Sequence, residues 1–286
     1  MQDSFVNLLK QGMAEDDWTL DWTTRGSVDA RKKIRAQIIA KESGVWAADG
    51  LCEATERVAR DQGLELKCRA KIAQGEEFKK AQFLVEWDGN ARILLALERP
   101  FLNLASYLSG IATQTQKMVQ AVRKGSSDIR VTSTRKILPG YRDLVVQAVM
   151  AGGGHSHRVS LSGGVLIKEN HIASAGGIER AVNGARAVAP HGLKIEIEVR
   201  SLDELKQALD CGVDAVLLDN FSPDQVGAAV EKIKKFAHPV TVEVSGGVTA
   251  ENAAQYALPG VHVLSSGGLT HSVRAIDLSL LVEQSS

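Results

Sequence analysis

An α/β fold whose second half is a parallel barrel follows from three features of the chain. Short β-rich runs recur after residue 129, helical patterns lie between most of them, and composition changes near residue 110. Strands that alternate with helices of 10–15 residues build βαβ units and pair in parallel. Six such units favour a (β/α) barrel over a doubly wound sheet, and in barrels the chemistry sits where strands end and loops begin.

The runs are Ile129–Thr132, Val165–Ile167, Lys194–Val199, Ala215–Leu218, Val240–Val244 and Val261–Leu264. Helix starts are marked between them. Ser201-Leu202-Asp203-Glu204 reads as a capping box, with Leu202, Leu205 and Leu209 on one face and Gly212 as the stop. Ser222-Pro223-Asp224-Gln225 repeats that logic with Pro at the first helical position, followed by Val226, Val230 and Ile233. Thr249 is placed to cap the next helix. The N-terminal region reads as a smaller α/β domain, with strands at Ile34–Ala40 and Ala81–Trp87 and helices at Cys52–Arg60 and Leu94–Leu108. All four tryptophans precede residue 90, and Lys124-Gly125-Ser126-Ser127-Asp128 reads as a loop near the boundary.

Composition limits the function. Lys+Arg and Asp+Glu are both 34, so the formal net charge is zero. No global field draws the chain to nucleic acid or to an anionic membrane. No apolar run approaches the ~20 residues that span a bilayer, and the N-terminus has no signal-peptide pattern. Cys52, Cys68 and Cys211 are far apart and outside metal-ligand spacing, which suits free thiols in a reducing compartment. A cytoplasmic location is expected.

Charge is instead concentrated locally. Residues 130–171 hold Arg130, Arg135, Lys136, Arg142, Arg158 and Lys168 against Asp143 and Glu169. Arg135, Lys136, His157, Arg158 and Lys168 form an expected anion site, since Arg pairs bidentately with carboxylate or phosphate and Lys acts as a point charge. Lys194-Ile195-Glu196-Ile197-Glu198-Val199 alternates, so Glu196 and Glu198 share the face opposite the apolar one. Two carboxylates inside a parallel sheet are costly unless paired or bound to a ligand, so they are expected at a barrel mouth, as is Asp219. Ser245-Gly246-Gly247 and Ser266-Gly267-Gly268 end late strands, where exposed N–H groups make anion nests and Gly lets a phosphate approach. His155-Ser156-His157 is a poor metal site, because no third ligand has zinc spacing and Arg158 repels a cation. His271 reads as structural or peripheral. No nucleophile elbow or dinucleotide fingerprint is present.

These segments together resemble the quinolinate phosphoribosyltransferase family. The resemblance rests on Thr134-Arg135-Lys136-x-x-Pro139-Gly140-x-Arg142, Gly152-Gly153-Gly154-His155-Ser156-His157-Arg158 and Leu166-Ile167-Lys168-Glu169-Asn170-His171. It continues through Glu196-Ile197-Glu198-Val199, Leu217-Leu218-Asp219-Asn220, Ser245-Gly246-Gly247-Val248-Thr249 and Gly268-Leu269-Thr270-His271-Ser272. Glu98-Arg99-x-x-Leu102-Asn103 and Leu108-Ser109-Gly110-Ile111-Ala112-Thr113 also match.

The resemblance implies an N-terminal α/β sandwich (1–112), a C-terminal incomplete (β/α) barrel (113–270), and a segment 271–286 packing back on the first domain. It implies quinolinate and phosphoribosyl pyrophosphate (PRPP) as substrates, Mg²⁺ as cofactor, and a homodimer or larger homo-oligomer. Arg135, His157 and Arg158 would hold the two carboxylates, with Arg99 arriving from the partner subunit and Thr134 in the same site. Lys136 and Lys168 would sit between dianion and phosphates. Glu198 and Asp219 would meet the ribose hydroxyls and Mg²⁺, and Ser245, Gly246, Gly247, Gly267 and Gly268 would take phosphate. The chain departs from the family pattern at Glu15–Thr24, Ile137, Val146-Gln147 and Gly163-Gly164.

Overall fold

The computed structural model of the protein describes residues 2–126, 128–236 and 238–283. Ser127 of the expected boundary loop and the last three residues of segment 271–286 lie outside them. In chain order the first strands are β1 (Lys33–Ala40), β2 (Gly44–Val45), β3 (Leu66–Ala70), β4 (Glu77–Phe78) and β5 (Phe83–Asn90). The parallel set follows: β6 (Arg130–Ser133), β7 (Val165–Ile167), β8 (Ile195–Val199), β9 (Ala215–Asp219), β10 (Thr241–Ser245) and β11 (Val263–Ser266). Near the C-terminus comes β12 (Leu278–Val282). The helices are α1 (Gln2–Glu15), α2 (Trp22–Ser27), α3 (Leu51–Asp61), α4 (Ala91–Arg123), α5 (Arg142–Ala151) and α6 (Glu169–Ala175). After them come α7 (Ile178–Val188), α8 (Leu202–Asp210), α9 (Pro223–Ile233), α10 (Ala253–Tyr256) and α11 (Gly268–His271).

The chain divides into two compact units, though not at one point. The first contains residues 1–116, 137–153 and 273–286, and the second contains 117–136 and 154–272. The segment 137–153, with α5, therefore goes with the N-terminal unit, unlike the boundaries read from sequence. The reason is apolar: Leu144, Val145, Ala148 and Val149 are buried in the first unit's core with Trp87, Phe101 and Leu108.

That unit is built on an antiparallel sheet in the order β12-β1-β5-β3. The C-terminal strand supplies an edge, with Ile38 opposite Leu280. Helix α1, which the sequence reading did not assign, buries Phe5, Leu9 and Met13 at helical spacing. Its Gly12 faces Pro100, where an added Cβ would lie 3.1 Å from the proline Cβ. Helix α4 exceeds the expected Leu94–Leu108 and continues through Pro100, held by buried Leu97, Phe101, Leu104 and Leu108. Strand β5 starts later than expected because Ala81 adopts φ 70° in the preceding turn.

The second unit is a six-stranded, all-parallel sheet in the order β6-β11-β10-β9-β8-β7. Among the described residues the edge strands β6 and β7 are not paired, while inward residues from both ends of the sheet line one cavity. The sheet is thus a barrel left open at one seam. Beside β6, His155 bridges Thr132 and donates its N–H to Val131 O at 2.8 Å. On the outer face Ile195, Ile197 and Val199 are buried with Val182, Leu205 and Leu209 of the helical layer.

Local signals explain the helix ends, with two corrections. Ser222 and Gln225 form the reciprocal capping box, and Gly212 closes α8 at φ 66°. In the Ser201 cap, Glu204 reaches the N–H of Arg200 at 2.7 Å instead of the Ser201 N–H. Thr249 caps no helix: its N–H donates to Asn252 Oδ1 at 2.8 Å, and Asn252 occupies the N-cap of the short α10. Among the described helices, none is long and apolar enough to cross a membrane.

Candidate active site

A cavity of about 800 Å³ opens at the C-terminal ends of the parallel strands, lined wholly by the second unit. Its geometry follows from strand alternation. In register across the sheet, Leu166 faces Glu196, Glu198 faces Leu217, and Glu243 faces Leu217 from the other side. Three carboxylates therefore project on the inner face while valine and isoleucine neighbours fill the outer one. The strand ends then add charged and hydroxyl groups around the rim.

One side of the cavity is cationic. Arg135 and Lys136 follow β6, where Thr134 Oγ1 accepts the Lys136 N–H at 3.2 Å. Thr270 Oγ1 donates to Lys136 O at 2.9 Å, tying α11 to this loop. Arg158 is steered by its Nη1 bond to Gly164 O at 2.8 Å, and its Nε is buried with no hydrogen-bond partner. Among the described residues, no acidic side chain lies within ion-pair distance of Arg135 or Arg158. Burial first, then the Arg135 charge, pull Arg158 below the ordinary guanidinium range. Two guanidinium groups facing one cavity without acid partners are poised for an external dianion.

The opposite side is mixed. Lys168 Nζ donates to Glu198 Oε2 at 2.9 Å, and the Glu198 side chain is 8% exposed. Arg200 pairs with Glu169 and lies 3.7 Å from Asp219 Oδ2, which also accepts Asn220 Nδ2 at 2.9 Å. Beside them Gly246 and Gly247 adopt φ 88° and 64°. A Cβ at Gly246 would meet the Asn220 side chain and lie 2.8 Å from its backbone N, so only glycine fits there. At Gly267, whose φ is -67°, an added Cβ would lie 3.1 Å from Lys136 Cδ and 2.9 Å from His271 Nε2, so those two side chains would have to shift.

At the floor, His157, Glu196 and Glu243 bring one ligand-type atom each within 4.8 Å of one another. His157 Nε2 is 3.3 Å from Glu243 Oε2. Its Nδ1 accepts the Arg158 N–H at 2.7 Å, which is the pattern of the neutral Nε2–H tautomer. The bond to Glu243 outweighs burial and pushes His157 above its ordinary value. Burial and the Glu243 charge push Glu196 up to about 7. Keeping a proton on Glu196 spares Glu243 a second buried anion beside it.

Glu196 also links stability to pH. Its folded-state value lies above 4.5, so the native chain holds an extra proton between 4.5 and about 7. Stability therefore falls as pH rises through that window and levels off above it. His157, raised by Glu243, acts with the same sign. Wild-type unfolding free energy is expected to drop by about 2–3 kcal/mol between about pH 5 and about pH 8, and Glu196→Gln to drop much less. Urea titrations at the two pH values measure this; equal slopes for both proteins would refute it.

The geometry coincides with sequence comparisons. Residues 17–109 match the family profile "Quinolinate phosphoribosyl transferase, N-terminal domain", and residues 111–281 match its C-terminal domain. The chain belongs to the quinolinate phosphoribosyl transferase family. A "Probable nicotinate-nucleotide pyrophosphorylase [carboxylating]" of Methanocaldococcus jannaschii is 37% identical, over 98% of each chain. The Mycobacterium leprae "Nicotinate-nucleotide pyrophosphorylase [carboxylating]" is 39% identical over 97% of each. The solved nicotinate-nucleotide pyrophosphorylase of Francisella tularensis superposes with TM-score 0.88 at 33% identity, covering 99% of this chain and 97% of the other.

Thr134, Arg135, Lys136, His157, Arg158, Lys168, Glu198 and Asp219 line the cavity, as do Ser245, Gly246, Gly247, Gly267 and Gly268. Arg99 does not; it is exposed on α4 in the first unit. His271, read from sequence as structural or peripheral, is corrected: it lines the cavity because α11 begins directly at the end of β11. Arg200 and Glu243 line it too and had no role assigned. The signal for Glu243 was available, since Val242-Glu243-Val244 repeats the alternation that singled out Glu196 and Glu198.

Proposed function

We propose that the chain transfers the phosphoribosyl group of PRPP to the ring nitrogen of quinolinate, releasing pyrophosphate and CO2 and forming nicotinate mononucleotide. The observation carrying this reading is the pair Arg135 and Arg158, two guanidinium groups without acid partners at one cavity, opposite a wall of carboxylates and positive-φ glycines. The relatives named above bear the matching activity in their names.

In this reading Arg135 and Arg158 grip the dicarboxylate, with Thr134 beside them. Ser245 and the N–H groups of Gly246, Gly247, Gly267 and Gly268 donate to phosphate oxygens. Lys136 and Lys168 neutralise charge between the two substrates. As the bond to pyrophosphate breaks, ribose C1 becomes oxocarbenium-like. Glu198 and Asp219 then stabilise the developing positive charge. Quinolinate supplies the nucleophilic nitrogen, so no protein nucleophile is used. Loss of the 2-carboxylate as CO2 then leaves an electron pair on ring C2, stabilised as an ylide by the adjacent cationic nitrogen, and a proton taken up from solvent converts C2 to C–H. Holding both substrates in line supplies much of the acceleration.

Glu198 and Asp219 are hard oxygen donors of the number that suits Mg²⁺ shared with substrate phosphates. Bound there, Mg²⁺ would neutralise the pyrophosphate leaving group. In the present geometry these carboxylates engage Lys168, Arg200 and Asn220, so binding would exchange those partners. We further propose a cytoplasmic homodimer in which Arg99 of one subunit completes the other's dicarboxylate site. The test is incubation with quinolinate labelled in the 2-carboxylate, PRPP and Mg²⁺. Labelled CO2 and nicotinate mononucleotide are expected in equal amounts; none of either would sink the reading.

A further inference from the structure

The cationic side of the cavity is held by an internal brace that starts two strands away from it. Glu243 sits on β10 with a side chain only 5% exposed. Its Oε2 faces His157 Nε2 at 3.3 Å, while His157 Nδ1 accepts the backbone N–H of Arg158 at 2.7 Å. Both ring nitrogens are therefore engaged within the protein. Arg158 is fixed at a second point by Nη1 on Gly164 O at 2.8 Å. We infer that Glu243 is a positioning residue, which acts through His157 to fix the Arg158 guanidinium for the quinolinate carboxylates.

The chemistry of the imidazole makes the brace directional. A ring nitrogen that accepts an N–H bond carries no proton, so the proton lies on Nε2 and is donated to Glu243. Removing Glu243 leaves Nε2–H unpaired in a half-buried place and frees the ring to turn. The Arg158 N–H then loses its acceptor, and the segment that carries the guanidinium loosens. Glutamine at 243 keeps a carbonyl oxygen for Nε2–H and offers its amide hydrogens to Glu196. It should preserve the brace without the charge. The role assigned here is orientation, so glutamine separates it from a purely electrostatic one.

The inference rests on the dicarboxylate reading of the cavity, and its test separates the two. Quinolinate and PRPP constants are measured by steady-state kinetics and calorimetry for wild type, Glu243→Ala, Glu243→Gln, His157→Ala and the Glu243→Ala/His157→Ala double variant. Glu243→Ala is expected to raise the quinolinate KM by about 10-fold or more, with the PRPP KM unchanged. Glu243→Gln should stay within about 3-fold of wild type, and the double variant should be no worse than the more impaired single one. A Glu243→Ala protein that binds quinolinate normally, or a glutamine variant as impaired as the alanine one, would overturn the brace. So would equal losses for both substrates.

Nitrogen NMR of His157 in the wild-type protein provides a measurement independent of variant folding. The Nε2–H tautomer is expected, and a protonated Nδ1 in the neutral ring would refute the brace. Wild-type protein that shows this tautomer but no quinolinate binding would instead count against the substrate reading.

Discussion

Arg158→Ala is expected to raise the quinolinate KM by about two to three orders of magnitude and to lower kcat as well. Losing one member of a desolvated charge pair costs roughly 2–5 kcal/mol, and each 1.4 kcal/mol is tenfold. Arg158 belongs at the high end because it is held twice, by Gly164 and by His157, and has no acid of its own to release. Arg158→Lys should recover only part of the loss, since lysine restores the charge without the planar fork. Arg135→Ala should behave similarly. Steady-state kinetics with quinolinate varied at saturating PRPP measures the effect. An unchanged KM in both alanine variants would mean that the dicarboxylate lies elsewhere in the cavity.

The second large effect is expected at Glu198. Its carboxylate lies almost out of solvent, against Lys168 Nζ at 2.9 Å. Such a group is pre-oriented, so its stabilisation of a cation forming at ribose C1 requires little reorganisation during the reaction. Glu198→Gln keeps the size and removes the charge. It should lower kcat by roughly 10²–10³-fold, while calorimetry still finds quinolinate bound within about 3-fold of wild type. Normal kcat would remove Glu198 from the reaction. Equal loss of quinolinate affinity would make it part of the dicarboxylate site instead.

Much of the barrel was legible because buried parallel strands write themselves as short β-branched runs between capped amphipathic helices. Val165–Ile167 was located without error, and the Ser222 box opens α9 as expected. The first unit was less legible. Helix α1 buries its Phe5, Leu9 and Met13 stripe in the first core, yet its register became plain only from that packing. Strand β12 is recognisable chiefly by its partner, because Leu278–Val282 becomes an edge only when paired with β1. Residues 137–153 fall next in sequence to the barrel's first strand, yet their apolar face belongs to the other core.

The site divides along the same line. Sequence by itself determined the inventory: which strand ends carry Arg, Lys, carboxylate or Gly-Gly, and on which face of β8 Glu196 and Glu198 lie. Those follow from chain-local rules, the two-residue alternation of strands and the need for glycine at positive φ. Tertiary structure alone decided the partnerships. Glu243, His157 and Arg158 come from β10 and from the segment beside β6, and nothing in either stretch names the other. Only assembly of the parallel sheet, which sets β10 two places from β6, brings them within reach of one another. A buried carboxylate's charge state and a histidine's tautomer depend on neighbours across that fold, because desolvation and Coulomb forces act through space and not along the chain.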